Sequence, residues 1–565
     1  NLANAKSSDE NISGLKIGIV NKKNQNAIYQ LKYYMHGSSY TGLLNQLDVA
    51  QDYKNFFLTF NGSYLNTGTP AYKTSYFKQK AQLIKKFKWF SLGVREEQEH
   101  NVFNLKTADS LLGSSFAFNI YEAFFGSPDS AKNRYKISYK KRYDYLPLYD
   151  DLTLATDADD INLSVELTKH PKNILKISAT YRLLKVKDTS LVLVKPDNLL
   201  IGRIEYYTKL LKNVIQSTTY YEVGSGMEEK KEYSYVEVPA GQGVYVWTDY
   251  NDDGIKQLNE FDIAVFKDQA NFIRVFTPTY SYIKTYSNQF SEAVTIDPGI
   301  VWKNKNGFRK FISRFSLQAS YSVSHKSTST DLLQAYNPFS FKLNDSSLMS
   351  SNTTFKSTLF FNKNNPKIAA EINYQLSNSK MMLLNGFEAR SQQSYGAKVR
   401  WNITRKFYTN IEFNQGVKSY SSEYFNSKNY DVSYWEIEPR FIFQPGNKFR
   451  ITLTYNYSDK RNTAVSPNER AINHNIGLES KYNFPGKGTL QAKANYINIK
   501  YNASDNTSLA YEMLGGLKAG QNATWGLTFQ RNIANNLQLD LIYDGRKTGS
   551  NKIIHVGSVQ IRAYF

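Results

Sequence analysis

From Phe449 to Ser458 the chain alternates without an error. Phe449, Ile451, Leu453, Tyr455 and Tyr457 fall on one face of an extended strand, and Arg450, Thr452, Thr454, Asn456 and Ser458 fall on the other. A period of two excludes an amphipathic helix, whose same-face residues recur at three and four. The pattern repeats at Tyr395, Ala397, Val399, Trp401 and Ile403, at Phe315, Leu317, Ala319, Tyr321 and Val323, and at Leu537, Leu539, Leu541 and Tyr543. In the N-terminal half it returns at Leu175, Ile177, Ala179, Tyr181 and Leu183. Strands of soluble sandwiches typically run about five or six residues. These runs extend over about nine to eleven, the length that crosses a bilayer at a tilt. Such strands place the apolar face toward lipid and the polar face toward an aqueous interior, the inverse of a soluble domain.

Composition agrees with that arrangement. Aromatic residues make up 15% of the 565 residues, with 43 Tyr and 34 Phe, yet mean hydropathy is −0.52. No window approaches the roughly 18 to 20 continuous apolar residues that a membrane helix needs. The connections alternate in length: Gln444-Pro445-Gly446-Asn447, Phe484-Pro485-Gly486-Lys487 and Thr404-Arg405 are short turns, whereas Tyr420 to Lys428, Asp459 to Ala471 and Ser377 to Ser391 read as long polar loops. Short periplasmic turns and long external loops are the rule in bacterial barrels. The rule holds at the C-terminus if Asn502 to Gln521 forms one external loop, with no strand at Ser508 to Gly516.

The last strand sets Val559, Ile561, Ala563 and Phe565 against Gln560, Arg562 and Tyr564. An alternating strand ending in an aromatic residue resembles the C-terminal signal read by the outer-membrane assembly machinery. The fold expected is therefore all-β: a large antiparallel transmembrane β-barrel of roughly 22 to 26 strands, even in number, with long extracellular loops and a periplasmic C-terminus. Residues 1–225 form its N-terminal part, 226–270 an insertion, and 271–565 its C-terminal part. Tyr221 to Glu237 and Asp144 to Asp160 read equally as loop or strand.

Cysteine is absent, which excludes disulfides, thiol catalysis and Cys-based metal sites. The opening Asn1-Leu2-Ala3-Asn4 reads as a processed mature protein or a piece of a longer one, without the N-terminal Cys of a lipoprotein. The charge of +21 is spread along the chain, with only short basic stretches such as Lys140-Lys141-Arg142. Solvated loops and a polar interior are the first reading of it, and contact with lipopolysaccharide phosphates as a partner is the second. No nucleic-acid recognition motif accompanies the charge.

One segment carries chemistry. Asp249-Tyr250-Asn251-Asp252-Asp253-Gly254-Ile255-Lys256-Gln257-Leu258-Asn259-Glu260 matches the calcium loop D-x-[DN]-x-[DN]-G-x5-E at every defined position. Asp249, Asn251 and Asp253 would supply oxygens, Gly254 the bend, Ile255 its carbonyl, Gln257 a direct or water-borne ligand, and Glu260 the bidentate closure. An acidic turn without metal is the competing reading. Val244-Tyr245-Val246-Trp247 before the loop reads as a strand and no second loop exists, so a paired calcium sensor is excluded.

The stretch from Gly241 through Phe261, together with the Tyr-rich strands and the ending Gln560-Ile561-Arg562-Ala563-Tyr564-Phe565, resembles large outer-membrane proteins of the Bacteroidota, a mostly uncharacterised group. The resemblance covers mainly residues 240–565 and implies location and architecture. Catalytic motifs are missing: His36, His100, His170, His325, His474 and His555 are isolated, and no G-x-S-x-G or Walker element is present. Glu96-Glu97 and the group Asp157, Asp159 and Asp160 read as solvated loop charges. The chain is expected to be no enzyme but a plugged or gated conduit within a larger envelope complex, since a barrel this wide cannot fill itself with side chains. The alternative is a non-transporting barrel that scaffolds an assembly or secretion machine. With Gly14 to Asn21 already a strand, the plug would come from a long loop, such as the calcium segment around residues 225–270, or from a partner chain.

Overall fold

The computed structural model describes residues 9–21, 25–108, 110–192, 197–329, 331–339, 347–383, 386–464, 469–534 and 536–563. They are nearly all β, as the alternation requires. Of 28 described strands, three are two or three residues long, and the other 25 run from ten to 25 residues. The strand pairs among the described residues are antiparallel, such as Phe449–Asn462 against Arg470–Phe484. The count of long strands lies inside the expected range but is odd among the described residues. The chain divides into two compact units, Asn1–Thr208 with Thr219–Gly226, and Lys209–Thr218 with Met227–Phe565.

In the first unit, successive strands pair as a meander with short connections at both ends. Lys54 and Asn55 form a two-residue hairpin turn, both with positive φ, as a type I′ turn demands. At the opposite end, Tyr149-Asp150 joins Asn133–Leu148 to Asp151–His170 just as tightly. The long external loops expected throughout are therefore not general in this unit. Nor are the acidic groups loop charges. Asp157, Asp159 and Asp160 lie in a strand, where Lys141 bridges the first two and Arg182 grips Asp160 through two hydrogen bonds of 2.7 and 3.0 Å. Glu96 and Glu97 also lie in a strand, Glu97 paired with Arg95 and Glu96 accepting from Gln79. Lys141 and Arg182 from neighbouring strands, Arg95 on the same strand as Glu97, and the Gln79 amide let these carboxylates stay in the wall, so the strands continue where charge alone suggested a loop.

Within the second unit, the strands from Phe272–Ile296 to Ile554–Ala563 follow the segment 238–271. Its register aligns apolar side chains in rows across neighbours: Ile372, Ala397, Phe413, Ile437 and Tyr457 form one row, and Leu453, Leu478, Ala494 and Trp525 another. Ile372 is 61% exposed and Leu478 53%. Each such side chain forgoes roughly 1.5 to 3 kcal/mol when left in water. The opposite face carries hydrogen-bonded polar rows, including Arg450 with Glu479 at 3.1 Å and Asn414 with Glu436 at 3.0 Å.

Two expected loops shrink here. Strands Ile368–Leu383 and Gly386–Asn402 run through most of Ser377 to Ser391, with Ser377 opposite Gln392. Between Asp459 and Ala471 the strands persist to Asn462 and resume at Arg470, because Arg461 and Arg470 both fork onto the buried Asp459. Asp144 to Asp160 and Tyr221 to Glu237 are strand apart from the turn at 149–150, so the inserted segment begins after Glu237 rather than at 226. The last strand pairs Val559 and Ile561 with Leu541 and Leu539. Tyr564 and Phe565, the end of the expected assembly signal, lie outside the described residues.

Candidate metal centre and the segment around it

The strand expected before the acidic loop is present. Tyr245–Trp247 pairs with Phe261–Ile263, setting Trp247 opposite Phe261, and this small hairpin brackets residues 248–260. Inside the loop Asp252 and Gly254 take positive φ values of 59° and 72°. That geometry explains the glycine, since a side chain there strains the backbone even where space is open.

The turn is wound around its carboxylates. Asp249 accepts from the backbone N–H of Gly254 at 2.7 Å and of Asp253 at 3.2 Å. Asp253 accepts from the N–H of Ile255 at 2.7 Å, from Gln257 Nε2 at 2.5 Å and from Asn251 Nδ2 at 2.9 Å. Glu260 is 1% exposed and accepts from Trp247 Nε1 at 2.9 Å and from the N–H groups of Gln257 and Tyr250 at 3.2 and 3.3 Å.

Carboxylate oxygens of Asp249, Asp253 and Glu260 come within 4.8 Å of one another. Oxygens on opposite sides of a calcium ion, each at about 2.4 Å, are about as far apart. Five of the six anticipated ligand residues are thus gathered by hydrogen bonds, and a half-turn of the Asn251 or Gln257 amide presents oxygen in place of nitrogen. Ile255 follows them with its side chain turned outward. Three acidic groups stand together, hydrogen-bonded but with no cation paired to any of them among the described residues. Lys256 is engaged elsewhere, with Glu237 at 2.7 Å and over the Phe272 ring.

Next to Glu260 the chain is gripped by the connection between Phe407–Ser422 and Tyr430–Phe443, which carries Lys428. Lys428, 9% exposed, donates to the Phe261 carbonyl at 2.8 Å and pairs with Asp262 at 2.9 Å. Asp262 also accepts from Tyr250 Oη at 2.5 Å and Ser508 Oγ at 2.6 Å. Burial, with the Asp262 charge beside it, pushes the Tyr250 hydroxyl well above its ordinary pKa, so it remains a donor. Farther along, Tyr511 Oη accepts from the Val265 N–H at 3.0 Å, and Arg546 clamps Asp268 with two bonds of 2.5 and 2.7 Å while lying over Phe266.

Ser508 and Tyr511 belong to a short helix, Ser508–Leu514, inside the connection 502–519. Reading that stretch as a loop without a strand was correct, and the helix is what its sequence adds. Thr507 caps it by accepting from Ala510 N–H, and Gly515 ends it in the left-handed conformation. Leu509, Ala510, Met513 and Leu514 bury against Val432, Ala471, Ile497 and Ile499. Those wall residues share the face of Lys418 and Lys460, which bind Glu512 and the Met513 carbonyl at 2.9 Å. Sequence reasoning missed this dock. Its signal was Tyr496-Ile497, two adjacent apolar residues in a strand that otherwise alternates, the first exposed and the second buried.

Fold and site together define an all-β chain with a carboxylate-lined loop whose flanking segment is tied to two strand connections and, through Arg546, to the polar face of an antiparallel wall. No family model matches the sequence, and no curated protein does. Among solved structures the chain is similar to the ferric preacinetobactin receptor BauA of Acinetobacter baumannii, at 10% identity and TM-score 0.32, over 94% of this chain and 84% of that one. The FrpB iron transporter of Neisseria meningitidis (F3-3 variant) matches at 10% identity and 0.34, over 91% and 82%. The copper transporter OprC matches at 10% and 0.32, over 98% and 79%. At such TM-scores the likenesses assign no function, and the chain's own residues must carry it.

Proposed function

We propose that this chain is an outer-membrane β-barrel conduit stoppered by its own segment 238–271, with a calcium ion stiffening the stopper at Asp249, Asn251, Asp253, Ile255, Gln257 and Glu260. One observation carries the reading: the segment is tied to Arg546 on the polar face of the wall and to Lys428, Ser508 and Tyr511 in two strand connections at one end of it, while the other face presents exposed apolar rows. A wall with that asymmetry faces lipid outward and water inward. Its outer surface then meets membrane lipid and lipopolysaccharide, its C-terminal strand ends in the periplasm, and other envelope proteins complete the complex in which it works.

Single-channel recording of the purified chain tests the conduit. A closed baseline in calcium and stepwise current after chelation are expected. Silence under both conditions contradicts the reading.

The membrane assignment has its own test. Leu478→Arg places a cation in the middle of an exposed apolar row, at a cost of about 2 to 4 kcal/mol in a lipid-facing wall. Equilibrium folding into lipid vesicles should register that loss, whereas Thr454→Arg, on the polar face, should fold like the wild type.

A further inference from the structure

Between the docked segment and the strands Gly488–Tyr501, Gly520–Ala534, Leu537–Thr548 and Ile554–Ala563 lies a cavity of about 720 Å³. That volume falls in the range of small-molecule sites. Its floor breaks the rule of the wall. Ile542, Ile554 and Val556 share a face with Asp544 and Arg546 by register, yet they are apolar, and Ile542 and Ile554 remain 40% and 36% exposed. Val265 and Phe266 of the docked segment line the cavity from the other side. Exposed apolar side chains on an otherwise polar surface mark a site that an apolar body covers.

The rim sets the sign of the head group. Arg546 is neutralised by Asp268, and Lys493 stands 3.5 Å from Asp544. Lys267 is exposed and has no ion-pair partner among the described residues, which leaves one cation in excess. We infer that this cavity binds a small amphipathic anion, an apolar body on Ile542, Ile554 and Val556 with its carboxylate or equivalent acid group at Lys267. The inference rests on the docked segment and deepens the conduit reading by naming the ligand class that segment meets.

Isothermal titration calorimetry of the full chain in nanodiscs, with 4-phenylbutyrate and 4-phenylbutylamine as probes, tests it. The acid should bind at least tenfold more tightly than the amine. Val556→Trp, which fills the cavity, should abolish acid binding, and Lys267→Glu, at an exposed position that leaves the fold intact, should weaken it at least tenfold. Equal binding of acid and amine, or unchanged acid binding in Lys267→Glu, overturns the site. Binding without current on chelation removes the conduit and keeps the site; current without binding does the reverse.

Discussion

Replacing Asp262 by Ala should loosen the segment 238–271 even with calcium saturating. The carboxylate is the meeting point of Lys428, Tyr250 and Ser508, and its removal leaves a nearly buried ammonium with only the Phe261 carbonyl. Breaking a buried ion pair from one side costs about 3 to 5 kcal/mol. Part of that is relieved here by the retained carbonyl bond, so about 3 kcal/mol is expected, a factor of roughly 100 in the opening equilibrium. Hydrogen exchange of residues 238–271 should accelerate accordingly. Lys428→Met alone should also destabilise, and the double variant Asp262→Leu with Lys428→Met should lose clearly less than the sum, since no orphaned charge remains. Full additivity would mean that the pair does not hold the segment.

Glu260→Gln should produce the second large effect, and a different one. The side chain keeps its shape, but the loop loses the charge that would close the proposed calcium shell and an acceptor for the Trp247, Tyr250 and Gln257 N–H groups. An amide oxygen satisfies fewer of these donors, and each buried donor left unpaired costs about 1 to 3 kcal/mol. Calcium affinity should fall more than tenfold, read by titration calorimetry, and the segment should exchange faster with and without the ion. Asp253→Asn, at an exposed position, should weaken calcium binding while leaving calcium-free exchange near the wild type. If neither variant alters calcium binding, the loop is an acidic turn and the metal assignment fails.

Local pattern made the wall legible. Alternation at Phe449 to Ser458 or Leu537 to Tyr543 is imposed by the pleat and by the different media on its two faces, so it survives in the sequence of each strand. The twelve-residue acidic loop was legible for a similar reason, because its contacts lie within the segment that makes them. What escaped was non-local. The bond from Ser508 to Asp262 links residues 246 positions apart, and the clamp of Arg546 on Asp268 spans 278; neither pattern has a sequence period. Strand ends were misread where cross-strand cations accommodate charge, as at Asp157 to Asp160 and at Asp459, because a single strand does not reveal its neighbour's side chains.

Cysteine is absent from the chain, so a double variant with Asp268→Cys and Arg546→Cys can be joined selectively by a short bismaleimide, tying the segment to the wall where the ion pair now does. In chelator, single-channel recording of the two forms should show current through the unjoined protein and a closed baseline for the joined one. Equal current in both would show that the pathway does not pass the segment 238–271, and the stopper would have to be sought elsewhere.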